Sequence, residues 1–152
     1  MPSPVHITFL GGLGEIGRNC AALEVEGRVV LLDCGQLFPD DRPGVDAVLP
    51  DFSWLLQRAD RIEGCVVTHA HEDHIGGLPY LLRELSFPIY GAPFTLGMIR
   101  GKLQSAGVAL PDLVSLEDND QRSIGPFDCE FLPVTHSTPS GLMTVFGTPQ
   151  GL

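Results

Sequence analysis

Apolar residues arrive in this chain as short runs broken by glycine, proline and acidic positions. The run Val5 to Leu10 ends in Gly11-Gly12 and reads as a strand. Cys20–Val25 and Arg28–Leu32 are two further runs, and Glu26-Gly27 between them is a two-residue hairpin signal. A loop rich in Pro, Asp and Gly extends from Phe38 to Pro50. Phe52 to Arg61 predicts a short helix with Asp51 or Ser53 as its cap. Cys65-Val66-Val67-Thr68 is β-branched and apolar, the pattern of a buried strand. Leu78, Leu81, Leu82 and Leu85 stand at i, i+3, i+4 and i+7, one face of an amphipathic helix. Pro88 to Tyr90 predicts a short strand, and Pro93 opens a helix that reaches about Ala106. Strands return at Leu113–Leu116, Arg122–Ile124, Cys129–Val134 and Leu142–Phe146, before the turn signal Gly147 to Gly151. Strands, a helical middle and strands again predict an α/β sandwich with sheets inside and helices outside.

The 152 residues bound this to one domain or part of one. A formal charge of −10 with Lys102 as the single lysine argues against a broad basic surface for nucleic acid, though not against a local site where metal ions supply positive charge. The first residues have no basic start and no long apolar core, so neither a signal peptide nor a membrane span is predicted. Cys20, Cys34, Cys65 and Cys129 form no Cys-x-x-Cys pair and read as buried thiols in a reducing cytoplasm.

The chemistry concentrates in Thr68-His69-Ala70-His71-Glu72-Asp73-His74, which offers four metal-binding side chains within six residues. His69 and His71, two apart on the extended exit of a strand, can point the same way. Asp73 and His74 follow as the chain bends toward a helix and can face a second point. Imidazole and carboxylate suit zinc, at about 2.0–2.2 Å, and also manganese or iron. Two ions about 3.5–4 Å apart could clamp the attacking and leaving oxygens of one displacement. His136, after the strand Cys129–Val134, joins the set as a further ligand, whereas Glu72 is expected to point away and His6 to be structural. Asp33 ends a strand, either capping a turn or fixing the histidine loop by hydrogen bonds.

Gly12-x-Gly14-x-x-Gly17 matches a dinucleotide-binding pattern, but a hairpin follows it where that motif needs a helix N-terminus for the pyrophosphate. A tight loop that lets backbone pass near a site, or plain turn geometry, are the readings that remain.

His69-x-His71-x-Asp73-His74 resembles the signature of the metallo-β-lactamase superfamily. Gly11 through Asn19, Asp33-Cys34-Gly35 with Phe38-Pro39-Asp40, Gly44-Val45-Asp46, Pro50-Asp51 and Thr68 through Tyr80 narrow the resemblance to the bacterial ribonuclease J family, in the β-CASP group of nucleases. That resemblance implies an αββα sandwich and two divalent ions, zinc foremost, with manganese or magnesium as alternatives. His69, His71 and His136 would hold one ion, and Asp73 and His74 the other, with Asp73 and His74 as catalytic residues. Asp33, Gly14, Asn19 and Ser137 would support the site or lie beside the substrate. The implied substrate is RNA with a 5′-monophosphate, trimmed from that end or cut internally, by a homodimer or homotetramer.

The family pattern His-Ser-Ile-Pro-Asp is here His136-Ser137-Thr138-Pro139-Ser140, which changes local loop contacts and spares the ligand. Residues 1–152 are expected to be the N-terminal part of a metallo-β-lactamase domain, incomplete at its C-terminus. Further ligands and the β-CASP and C-terminal domains would lie outside it, leaving the 152-residue chain weak or inactive alone. Two rival expectations remain: a small-molecule hydrolase for thioesters or lactones built on the same cluster, and a non-catalytic metal-binding module.

Overall fold

A computed structural model describes residues 2–39 and 43–151. Among the described residues, nine strands form two sheets. The larger has the order β1-β2-β3-β4-β5-β6, from Val5–Gly11, Cys20–Val25, Arg28–Leu32, Ile62–Val66, Ile89–Gly91 and Leu113–Ser115. The smaller has the order β7-β8-β9, from Gln121–Ile124, Phe127–Val134 and Gly141–Gly147. β1 to β3 run antiparallel, as the Glu26-Gly27 hairpin requires; both turn residues have positive φ, 51° and 75°. β3 to β6 are parallel to one another, with helical connections between them.

Alternation of side chains explains why the central runs are apolar throughout. Val29, Leu31, Cys65 and Val67 face the helices, together with Leu55, Ile75, Leu78, Ile99 and Leu103. Their neighbours Val30 and Val66 face the smaller sheet and pack with Phe127, Phe131 and Leu142. Strands buried on both faces need no polar alternation. At the β1 edge the cover is thinner, and Ile7 and Phe9 remain 57% and 55% exposed.

The α/β sandwich is present, with one layer fewer than the implied αββα order among the described residues. The helices lie on the larger sheet, and no helix falls within or after the smaller one. Two predicted helices are also shorter than their patterns. Phe52 to Arg61 resolves into α1 at Ser53–Leu56 and a 3-10 turn at Ala59–Arg61. Neither expected residue caps α1 by side chain at its N-cap, which is Phe52; Asp51 instead accepts the Ser53 N–H at 2.9 Å. The leucine face at 78–85 carries α3, Leu78–Leu81, and then continues through turns, with the Leu85 N–H still bonded to the Leu81 carbonyl at 3.0 Å. The face is buried as predicted; periodicity reports which side is covered and does not require a regular helix. Pro93 does open α4, Pro93–Ser105.

The parallel strands β3, β4 and β5 end at one edge, the usual place for a ligand site in such sheets. Asp33 follows β3 and Thr68 lies two residues past β4. The β8–β9 hairpin reaches the same edge, because the Leu142 N–H donates to the Thr68 carbonyl at 2.8 Å.

Candidate metal centre

After β4 the chain bends at Ala70, is extended at His71, whose ψ is 150°, and then turns into α2, Glu72–Ile75. The stretch before the helix carries His69 and His71, and the helical turn carries Asp73 and His74. Ile75, fully buried, pins that turn to the core. Backbone bonds fix the loop from below: Cys34 N–H to the His74 carbonyl at 2.8 Å, Gln36 N–H to Glu72 at 3.1 Å, and Asn19 N–H to Asp73 at 2.9 Å. Gly35 is needed here, because a Cβ at that position would stand 1.6 Å from the Asp73 carbonyl oxygen.

Three imidazoles from two sheets converge. His69 Nε2 lies 3.0 Å from His71 Nδ1, and His136 Nε2 lies 3.2 Å from the same atom. One ligand atom from each of His69, His71 and His136 falls within 4.8 Å of the others. His69 is buried, His71 half-buried and His136 exposed, so the cluster opens to solvent on one side.

The outward nitrogens are held by hydrogen-bond partners. The Asp33 carboxylate can only accept, so His74 Nδ1–H donates to its Oδ2 at 2.7 Å. Asp33 also accepts the Thr68 N–H at 2.8 Å and its hydroxyl at 3.0 Å. The Thr68 oxygen then accepts Nδ1–H of His69 at 2.9 Å. Ser137 Oγ lies 3.1 Å from His71 Nε2. The Nε2 lone pair of His69 faces His71 Nδ1 at 3.0 Å, and where Ser137 accepts from His71 Nε2–H two lone pairs meet there. Such a contact is unfavourable unless a cation or a proton lies between them, and a divalent ion fits this donor set.

Electrostatics agree. Burial, aided by the charge on nearby His74, pushes the His69 pKa down to about 4, so the ring is neutral and a free donor at pH 7. For His74 burial works against the charge, but the hydrogen bond and charge of Asp33, with Asp73 behind it, hold its pKa above the ordinary histidine value. Asp73 Oδ2 is 3.4 Å from His74 Nε2 and forms a second, smaller convergence. Asn19 Nδ2 joins it, 3.0 Å from Asp73 Oδ2 and 3.2 Å from His74 Nε2.

All of the expected ligand side chains therefore lie at one edge, with Asp33, Asn19 and Ser137 in contact with them. Gly14 does not: it sits at an exposed loop position with nothing within 4 Å of an added Cβ. The glycine loop meets the site through Asn19, whose amide oxygen rests against Gly12. A strand follows the loop, which rules out the helix that a pyrophosphate site would need. Glu72 points away as expected, into Lys102 at 2.8 Å and Gln36 at 3.3 Å. His6 is exposed on β1, outside the cluster. Thr68 and Gly35 were not singled out by sequence; a hydroxyl residue just before the first histidine, and glycine right after Asp33-Cys34, were the available signals. The four cysteines are free and buried, and burial raises the Cys129 thiol to about 11, so it is not a thiolate donor at neutral pH.

Residues 13–151 match the metallo-beta-lactamase superfamily. The chain belongs to that superfamily. It is 40% identical over 152 residues to ribonuclease J 1 of Streptococcus pyogenes, matching 99% of this chain and 27% of that protein. Ribonuclease J of Mycolicibacterium smegmatis is 42% identical with the same coverage of both. Ribonuclease J of Helicobacter pylori is 45% identical over 136 residues, 88% of this chain and 20% of that one. The chain thus spans about a quarter of the length of these relatives, 27% for the first two. Among solved structures, the Rm3 metallo-beta-lactamase superposes with a TM-score of 0.63 at 20% identity, over 97% of this chain and 58% of that one. Human tRNase Z, short form, gives 0.57 at 20% identity, over 92% and 64%. At such identity these two establish the shared fold alone.

Proposed function

We propose that this chain carries the dinuclear metal site of a ribonuclease J-like metallo-hydrolase that cleaves RNA. One observation carries the reading: His69 Nε2, His71 Nδ1 and His136 Nε2 converge while the outward nitrogens of His69 and His71 are held by Thr68 and Ser137. In this reading His69, His71 and His136 hold one divalent ion, and Asp73 and His74 hold the other. Zinc suits the donors best, with manganese or magnesium as alternatives. Divalent ions at such donors lower the pKa of water and offset the charge of a phosphodiester, which a chain of net charge −10 does not attract by itself.

The chain's own residues position the reactants. Asp73 Oδ2, partly open to solvent, accepts a hydrogen bond from the attacking water and orients it. Asp33 keeps the Nε2 lone pair of His74 turned toward Asp73. The similarity to ribonuclease J supports RNA as substrate; entry at a 5′-monophosphate end or internal cutting, by a homodimer or homotetramer, is the finer part of the proposal. The four free thiols support a reducing, cytoplasmic setting. Among the described residues, no helix is long and apolar enough to cross a membrane.

The test is elemental analysis of the purified chain beside His71→Ala. Two divalent ions per chain, with loss of metal in the variant, are expected; a wild-type chain free of divalent metal would overturn the reading. Turnover of 5′-monophosphorylated RNA is then set against that of a thioester. Thioester hydrolysis without RNA cleavage would overturn the substrate assignment.

A further inference from the structure

The Asn19 amide occupies a position that the proposed ligand roles leave unexplained. Its Nδ2 lies 3.0 Å from Asp73 Oδ2, 3.1 Å from the Asp73 carbonyl and 3.2 Å from His74 Nε2. The two donor atoms, Asp73 Oδ2 and His74 Nε2, are themselves only 3.4 Å apart. One NH2 group, with two hydrogens for three acceptors, thus sits over the pair proposed to hold the second ion. Its partners settle the direction of the amide. Turned over, its oxygen would face the Asp73 carboxylate and the Asp73 carbonyl, neither of which can donate. The orientation is also built into the fold. Asn19 N–H bonds the Asp73 carbonyl at 2.9 Å, its own carbonyl accepts from Gly35 at 2.9 Å, and Gly12 leaves room for the amide oxygen.

In the neutral ring, with Nδ1–H committed to Asp33, His74 Nε2 keeps a single lone pair in the ring plane. That lone pair cannot accept an amide N–H and bind a cation at the same time. We infer that Asn19 is a stand-in for the second ion: its amide holds Asp73 and His74 together in the metal-free chain and must leave His74 before a cation binds there. The inference rests on the ligand assignment proposed above. It makes the second ion weaker by the cost of releasing a hydrogen bond, since among the described residues no side-chain amide is bonded to the histidine triad in this way. A neutral hydrogen bond nets about 0.5–1.5 kcal/mol, so the handicap is roughly 2- to 13-fold in affinity.

Calorimetric titration of the metal-free chain with Zn2+ tests this, comparing wild type, Asn19→Ala and Asn19→Asp. The first binding constant should be the same in all three, which also reports that the variants fold. The second should tighten roughly 2- to 13-fold in Asn19→Ala, as the competing donor is removed. It should tighten further in Asn19→Asp, where an oxygen replaces the N–H. A second constant that is unchanged or weaker in Asn19→Ala would overturn the inference and make Asn19 a plain positioning residue. Absence of the first ion from wild type would instead sink the metal assignment itself. A second readout needs no variant. The Asn19 side-chain amide resonances should stay put through the first equivalent of Zn2+ and move with the second. Movement with the first equivalent, or none at all, would refute it.

Discussion

His69, His71 and His136 come from two sheets, whereas Asp73 and His74 come from one turn of helix. The triad is a product of tertiary structure. Its third member hangs on the β8–β9 hairpin, which is tied to the metal loop through Thr68 and Leu142. The pair is adjacent in sequence but is aimed by residues far from it, Asn19, Asp33 and Gly35. A donor set assembled by the fold is completed by packing, and a donor set assembled locally still needs distant hydrogen bonds to orient it. The two halves should therefore fail separately.

The largest effect is expected where a ligand itself is lost. His71→Ala removes the nitrogen that both other triad rings approach, and the first ion should weaken by more than about 100-fold, beyond the usual cost of removing a supporting group. Asp73 and His74 keep all their contacts, so the Asn19 side-chain resonances of the metal-free variant should match wild type. A change there would mean that the halves are not separable.

Asp33→Ala strikes the other half hardest. Asp33 is 5% exposed, and its loss strands the Thr68 N–H, the Thr68 hydroxyl and the His74 ring together. Breaking such a buried set costs about 3 kcal/mol or more, read from denaturant unfolding. The second ion should weaken by about 10- to 100-fold, and the first by less, since only His69 is reached, through Thr68. Equal losses at both ions would erase the distinction. Gly35→Ala comes next: the added Cβ meets the Asp73 carbonyl and His74 N, so the loop must shift at a cost of about 1–3 kcal/mol. Its effect on metal should also fall mainly on the second ion.

The same contrast explains what was legible in the sequence. The strands were readable because buried β-branched runs such as Cys65-Val66 and the Glu26-Gly27 turn are local signals, although β4 runs from Ile62 to Val66 and not from Cys65 to Thr68. The five proposed ligands could be nominated because their side chains sit in a dense motif and at one strand end, although His136 gained meaning only beside the upstream cluster. Supporting residues were less so. Of the glycine-rich loop it is Asn19 that touches Asp73, while Gly14, expected to support the site or lie beside the substrate, has open space around it. The helix at 52–61 broke into two pieces, since composition marks an apolar face without fixing how many turns stay regular. Thr68 and Gly35 act through geometry that only the packed strands create.

Ser137→Ala should be milder. Ser137 is exposed and touches only the outer nitrogen of His71, which water can serve instead. The first ion should weaken by no more than about 10-fold, the low end for a supporting hydrogen bond, with no loss in unfolding free energy. A large fall in stability would place Ser137 in the fold and not in the site.

The smallest effect separates the halves by pH in the metal-free chain. His69, whose pKa is about 4 because it is buried and lies near His74, is neutral where the unfolded chain, near the ordinary 6.5, is protonated. Between those values the unfolded state binds more protons, so stability rises with pH from about 4 to about 6.5. His74 has the opposite sign. Its pKa is held up by Asp33, so its contribution is complete below about 6.5 and is lost as pH rises through its folded value. Together they predict a shallow maximum in melting temperature near pH 6.5, measured in chelator. Asp33→Asn should flatten the alkaline limb, and His69→Gln the acid limb above pH 4. If one variant flattened both limbs, the two histidines would titrate as a single unit, and the triad and the pair would be one site electrostatically despite their separate construction.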